Sequence, residues 1–392
     1  MKKVGIVSCY FQHNYGSMLQ AYATQMALDK LGYQNETINI SGFRGDIKKA
    51  KIKYFAKAAL TSDILLSKAG MAENVLRKKL SKGDYGMLCA MRNKRFDAFS
   101  KKMFRLSEIY PSKNEAGKNY DAVLVGSDQL WLPANIAADY YTLSWVPTDV
   151  NTIAYATSFG QSSLPKDIEQ RATGFLKNIR HIGVREESGQ NLVQKLSGRH
   201  VPIVCDPTLL FTGDEWLSIQ QNKPIIHDPY ILCYFLGNNP PHREFAKRLR
   251  EATGCKIVAL PHLDEFVKSD EHYADIMDYD VDPADFLNLV RNASYVCTDS
   301  FHCSVFSILY RKPFFTFRRY TRKTRSSTNS RLDTLFDLTG IRGRLKEGIE
   351  DIESCLDQKI DFDTAYTKLD AVRKESYSYL KDSLEDIRST EL

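Results

Sequence analysis

The segment Thr298-Asp299-Ser300-Phe301-His302 lies between an apolar run, Tyr295 to Cys297, and a second one, Cys303 to Tyr310, of helical length. A strand that turns through polar residues into an apolar helix puts Ser300 and His302 at the helix start. There, unpaired N–H groups and the helix dipole favour an anion. A histidine with an ordinary pKa of about 6.5 could donate a proton or a charged hydrogen bond to a phosphate. A histidine in isolation is more often packed in a core; its position at a helix start favours chemistry.

Other polar segments also follow strand-like runs. After Val4 to Ser8 comes Asn14-Tyr15-Gly16-Ser17, where the glycine permits close approach and Ser17 can cap a helix; a capped turn and a substrate contact are equal alternatives. In Gly126-Ser127-Asp128-Gln129-Leu130-Trp131, Ser127 and Asp128 suit hydroxyl groups and Trp131 offers a stacking face for a sugar, unless the tryptophan is buried under a turn. Ala156-Thr157-Ser158-Phe159-Gly160 is a further such end. In Val184-Arg185-Glu186-Glu187-Ser188, Arg185 could clamp a carboxylate or phosphate through two parallel bonds, or pair with Glu186 or Asp206 as a structural ion pair.

Strands must deliver these ends, and helices must follow them. Residues Ser17 to Leu31 have helical periodicity ended by Gly32, and Glu36 to Ile40 reads as a strand, giving a β-α-β opening. Residues 44–105 are basic and helix-prone, a helical insertion. Strand patterns return at Ala122 to Val125, Ile153 to Ala156, Ile182 to Val184 and Pro202 to Val204, with helices near Asp167 to Asn178 and Gly189 to Leu196. The alternation predicts a mainly parallel α/β sheet. A polar stretch, Gln220 to Pro229, precedes a second series of the same kind: strands at Tyr230 to Leu236, Lys256 to Leu260 and Tyr295 to Cys297, with helices at Arg243 to Ala252 and Pro283 to Val290. Two Rossmann-like domains are therefore expected, residues 1–222 and 223–345, with residues 346–392 as a helical segment packing across both. Its apolar positions are Leu369, Val372, Tyr377, Leu380 and Leu384.

A chain of 392 residues, 43% hydrophobic and 26% charged, suits two folded domains rather than a disordered or fibrous protein. The run after Met1-Lys2-Lys3 is too short for a signal-peptide core, and no apolar stretch has membrane-spanning length, so a cytoplasmic location is expected. The eight cysteines include no C-x-x-C pair and read as reduced, packed thiols; no metal is expected. Net charge is +6, with basic clusters at Lys48 to Lys57, Arg77 to Lys79 and Arg318 to Arg325. Solvated helix faces explain the first two, and anionic ligands or lipid are the alternatives. No nucleic-acid-binding motif accompanies them, so nucleic acid is not an expected partner.

Taken together, Asn14 to Ala23, Gly126 to Trp131, Ala154 to Gly160, Val184 to Ser188, Asp206 to Thr208 and Asp299 to His302 resemble, in order, the motifs of the polysaccharide pyruvyl transferases. The resemblance implies a GT-B-like pair of domains facing across a cleft. It also implies transfer of pyruvate from phosphoenolpyruvate to two hydroxyls of a sugar, as a cyclic ketal in a capsule or exopolysaccharide precursor, with no cofactor. Where some members carry S-x-R-x-H, Ser300 stands in the arginine position. On this basis His302 is the candidate acid or phosphate ligand, and Asp128 the candidate base or acceptor contact. Arg185, Ser300, Arg325 and Arg331 are candidate donor ligands; Asn14, Tyr15, Ser127, Trp131 and Ser158 are candidate acceptor ligands. The acceptor would be a galactose-like or N-acetylhexosamine unit; one form the resemblance allows is a sugar carried on a polyprenyl diphosphate at the inner membrane face, with the lysine-rich insertion touching anionic lipid. The rival expectations are a sugar-nucleotide-dependent glycosyltransferase of the same architecture and a non-catalytic binder of anions or nucleic acid.

Overall fold

The computed structural model describes residues 2–58, 85–262, 267–319 and 330–386. The central strands are short apolar runs buried along their whole length, such as Ala122–Val125, Tyr230–Tyr234 and Phe314–Phe317. Runs buried on both faces belong in parallel sheets covered by helices, and they form two of them. The first contains β1 (Lys3–Val7), β2 (Gln34–Asn39), β3 (Leu106–Ile109), β4 (Ala122–Val125), β5 (Asn151–Thr157) and β6 (His181–Val184), in the order β3-β2-β1-β4-β5-β6. The second contains β7 (Tyr230–Tyr234), β8 (Lys256–Ala259), β9 (Ile276–Met277), β10 (Tyr295–Thr298), β11 (Phe314–Phe317) and β12 (Leu345–Lys346), in the order β12-β11-β10-β7-β8-β9. Every strand pair is parallel.

Both orders are the doubly wound Rossmann order, which reverses direction between the first and fourth strands of each sheet. The GT-B-like pair of domains expected above is thus the observed architecture. Ligand crevices in such sheets open beyond the carboxyl ends at the reversal, here the ends of β1 and β4 in one domain and of β7 and β10 in the other.

The helices are α1 (Tyr15–Lys30), α2 (Arg44–Ala58), α3 (Tyr85–Met103), α4 (Lys113–Gly117), α5 (Pro133–Ala138), α6 (Lys166–Asn178), α7 (Glu187–Ser197), α8 (Pro240–Thr253), α9 (Pro283–Asn292), α10 (Phe301–Leu309), α11 (Ser330–Thr339), α12 (Ile352–Asp357) and α13 (Phe362–Glu385). None of the described helices is long and apolar enough to cross a membrane. The described ends of the insertion, α2 and α3, have different tasks. Helix α3 reaches into the second domain, where Arg92 Nη1 donates to Pro261 O (2.6 Å) and Arg95 faces Asp280 and Asp282 (both 3.3 Å) and Asp285. The expected strand at Pro202 to Val204 makes a single bridge, Val184 to Ile203, because the chain turns away at the short turn Pro207–Leu210.

Helix α13 returns across both domains. Ser383 O accepts from Asn151 Nδ2 (2.8 Å), Ser376 Oγ accepts from the Cys205 amide (3.0 Å), and Asp363 takes Arg311 of the second domain (2.7 Å). One part of the domain boundary is apolar. Tyr15, at the start of α1, stacks on Phe286 of α9 (4.7 Å between ring centres, 6° apart), meets Tyr234 edge-on, and donates its hydroxyl to Val281 O (3.1 Å). Tyr15 is therefore a wedge between the domains, with its ring closed off from any acceptor. Replacing it with alanine should cost about 3–5 kcal/mol in urea unfolding, and with phenylalanine about 1 kcal/mol, the loss of one hydrogen bond.

Candidate active site

The ends of β1, β4, β7 and β10 surround a cavity of about 380 Å³, lined by Asn14, Ser17 and Asp128 on one wall and by Leu236, Ser300, His302, Arg319 and Arg331 on the other. Each of these residues is fixed by its local backbone. Asn14, not Ser17, caps α1, its Oδ1 accepting the Ser17 amide (3.1 Å). Ser300 caps α10 by accepting the Cys303 amide (3.4 Å). Asp128 lies in the left-handed region at φ 82°, and Ala156 on the neighbouring strand at φ 52°. Left-handed backbone in a side-chain-bearing residue costs on the order of 1–3 kcal/mol and persists where its surroundings enforce it. Here Asp128 O accepts the Ser158 amide (3.0 Å) and Ser158 O accepts the Trp131 amide (3.0 Å). The turn directs the Asp128 carboxylate at the cavity, where Oδ2 accepts from Ser17 Oγ (2.7 Å).

Behind the cavity wall stands Asp206, 1% exposed. Its Oδ1 takes the Thr208 amide (3.1 Å) and hydroxyl (2.7 Å). Its Oδ2 takes Ser127 Oγ (2.7 Å) and Arg185 Nη1 (2.7 Å) and lies 3.5 Å from His302 Nε2. Burial alone would raise the Asp206 carboxyl, but His302 and Arg185 outweigh it and hold it far below the usual carboxylate range. Asp128 is held low in the same way, burial being overcome by Arg185, His302 and Arg331. Glu186 goes the other way, raised by burial that Arg185, 3.8 Å away, does not offset.

The His302 ring is located from both sides. Its Nε2 is buried 3.5 Å from Asp206, and the ring rests against Gly16 so closely that a Cβ there would come within 2.1 Å of Nδ1. Two arginines complete the cavity. Arg331 Nη1 is 3.9 Å from Asp128, and burial together with nearby Arg185 lowers its pKa to about 10, so it remains a cation at neutral pH. Arg319 donates to Asp299 O (3.0 Å), while the Asp299 carboxylate is occupied by the Leu236 (2.6 Å) and Gly237 (2.8 Å) amides. The Nε atoms of both arginines have no hydrogen-bond partner among the described residues. The site can therefore hold an anion between two guanidinium groups, beside an imidazole and an ionised carboxylate.

Of the residues singled out in the sequence, Asn14, Asp128, Ser300, His302 and Arg331 meet at this cavity. Arg185 does not line it: it is 2% exposed, stacked over Phe301 at 4.6 Å and engaged with Asp206, as the ion-pair alternative had it. Ser127 and Ser158 are fully buried, donating to Asp206 and to Glu186 Oε1 (2.6 Å). Trp131 is in the core, its indole donating to Tyr141 O (3.0 Å) between Phe159 and Phe175, and presents no face to a sugar. Arg325 lies outside the described residues. Sequence reasoning missed Arg319, Gly16 as the seat of the imidazole, and Asp206 as its anchor. For Asp206 the signal was the Asp-Pro-Thr sequence, a capped turn.

In the folded chain Asp206 and Asp128 keep their charge below the ordinary value of 3.8, so the unfolded chain binds protons first as the pH drops. Their stabilisation is complete above about pH 4 and is lost progressively below it. Asp206→Asn should be about 3–5 kcal/mol less stable at neutral pH and lose less on acidification, as read by urea unfolding across pH. Gly16→Ala should cost only about 1–3 kcal/mol yet displace the His302 ring, seen as a moved imidazole resonance in NMR. An unmoved resonance would show that the ring does not rest on Gly16.

Many solved structures are similar in fold, among them two epimerases. UDP-GlcNAc 2-epimerase from Neisseria meningitidis, bound to UDP-GlcNAc, matches at a TM-score of 0.51 and 9% identity, over 98% of this chain and 100% of that one. UDP-N-acetylglucosamine 2-epimerase from Rickettsia bellii matches at 0.51 and 11%, over 100% and 99%. No curated protein matches in sequence. The sequence profile described as polysaccharide pyruvyl transferase matches residues 14–319, from the Asn14 cap to the cavity arginine Arg319, and by this match over most of its length the chain belongs to the polysaccharide pyruvyl transferase family.

Proposed function

We propose that the protein transfers pyruvate from phosphoenolpyruvate to two hydroxyls of one sugar in a surface polysaccharide precursor, as a cyclic ketal. The observation that carries this reading is the meeting of His302, Arg319, Arg331 and Asp128 in one cavity between the domains. In an enol phosphate, protonation of the methylene carbon makes the adjoining carbon electrophilic. The His302 imidazolium gives that proton while Asp206, beside Nε2, keeps the ring oriented. Arg319 and Arg331 hold the donor's phosphate and carboxylate and neutralise the phosphate as it leaves, the task of the arginine absent at Ser300. A sugar hydroxyl adds to the electrophilic carbon, passing its proton to Asp128. The second hydroxyl displaces phosphate, its proton leaving with the phosphate or through His302, now a base. The products are the ketal and inorganic phosphate, and the steps need no metal or cofactor.

The second domain would carry the donor and the first the acceptor. On the first domain's wall, Lys51 of α2 lines the cavity and Phe55 stands 45% exposed. They suit an acceptor that carries phosphate, whether linked to a nucleotide or to a polyprenyl lipid at the inner membrane face, with the enzyme in the cytoplasm.

The expected result is release of phosphate from phosphoenolpyruvate only when acceptor is present, with an acceptor mass gain matching the ketal. His302→Ala and Arg331→Ala should each lower kcat/KM by about a hundredfold or more. Normal turnover in both would remove the assigned roles. Consumption of a nucleotide sugar without any response to phosphoenolpyruvate would replace the reaction with glycosyl transfer.

A further inference from the structure

A second pocket, about 300 Å³, opens at the amino ends of β10, β11 and β12, the end of the second sheet opposite the cleft. Most of its wall is apolar, from Tyr295 and Phe315 of the sheet, Leu356 of α12, Ile360, and Phe362 of α13, with Gln358 and Lys359 at its edge. Arg344 stands among them, immediately before β12, its backbone carbonyl accepting the Thr316 amide (2.8 Å). The residue is 3% exposed.

An arginine buried to this degree normally has a carboxylate partner, because an unpaired buried charge is costly. The Arg344 guanidinium makes no hydrogen bond and no ion pair with any described residue. Its neighbour is the Phe315 ring, 5.3 Å away, which offsets a small part of that cost. Burial lowers its pKa, as expected of a cation without a counterion. By contrast, the similarly buried Arg243 is fully engaged, with Asp270 at 2.6 Å and two backbone carbonyls. Arg344 therefore differs from Arg243 in having its donors left over, here inside a cavity.

We propose that this pocket binds a small organic carboxylate, its carboxylate group taken by the guanidinium fork of Arg344 and its apolar body lying between Phe315, Leu356 and Ile360. A planar carboxylate matches the fork through two parallel bonds, while the apolar side chains opposite it would strip a phosphate of hydration without replacing it. The amine of Lys359 at the rim adds attraction for an anion but not for a neutral ligand. The site shares no residue with the cleft, so it does not depend on the reaction assigned there.

Calorimetric titration of the full-length chain with hexanoate and with benzoate, and with inorganic phosphate as the anion control, tests this. Saturable binding of at least one carboxylate with Kd below about 10 mM is expected, with none for phosphate. Arg344→Met should weaken it about tenfold or more while leaving the melting temperature equal or higher, since a thioether of similar volume replaces an unpaired charge. Should that variant fail to fold, Leu356→Trp, which fills the pocket from its outer wall, should abolish binding instead. Arg331→Ala, altering the cleft, should bind as the parent does. No binding by the parent, equal binding by the variants of this pocket, or loss of binding in Arg331→Ala would overturn the assignment.

Discussion

Asp206 carries a full negative charge in a place where water does not reach it, and the arrangement of the cleft follows from how that charge is compensated. Its partners come from both domains: Ser127 and Arg185 from the ends of β4 and β6, and His302 from the start of α10. A buried carboxylate is tolerated only when its lone pairs are filled and an opposite charge is near. Removing any partner would leave the others unsatisfied as well. Arg185 in turn lies between Asp206 and Asp128, 3.6 Å from the latter, so the carboxylate facing the cavity and the one behind it share one cation. Arg331 then reaches Asp128 from the second domain. Charges of alternating sign thus cross the interface, and His302 and Asp128 each have a charged neighbour from the other domain.

The apolar contact around Tyr15 supports the same arrangement without charge. One continuous core includes β1, α1, α9, α10 and the Tyr15, Tyr234 and Phe286 rings, so it passes through the domain boundary. Hydrophobic burial sets the distance between the domains, and the polar cluster beside it sets their registration. Tyr15 and Gly16 are adjacent in sequence and do these two things in succession.

Much of the scaffold was readable from the sequence because its central strands are uninterrupted apolar runs; Ala122–Val125 is found at the expected residues and Tyr230–Tyr234 within them. The edge strands Leu106–Ile109, Ile276–Met277 and Leu345–Lys346 were not readable. They are short, and Leu106–Ile109 is largely open to solvent, so neither an apolar run nor strict alternation marks them. In the site, His302 was legible because a helix start has a recognisable sequence and a known electrostatic character. Arg185 was harder, since its residue type fits both a ligand clamp and an ion pair, and only the position of Phe301 in front of it decides. Trp131 misled for a related reason: an aromatic after a polar turn looks the same in sequence whether its ring faces the cavity or the core. Gly16 and Asp206 act on a residue almost 300 or 100 positions away, a relation that local sequence does not contain.

The contact of Gly16 with His302 has a further consequence. The glycine belongs to the first helix of one domain and the imidazole to a helix of the other, so the ring has its full support only where the two domains meet. On the proposed chemistry, the domain that would carry the acceptor also seats the acid that acts on the donor, so neither domain alone holds a complete site. The missing methyl group is the space in which one half of the molecule receives the reactive ring of the other.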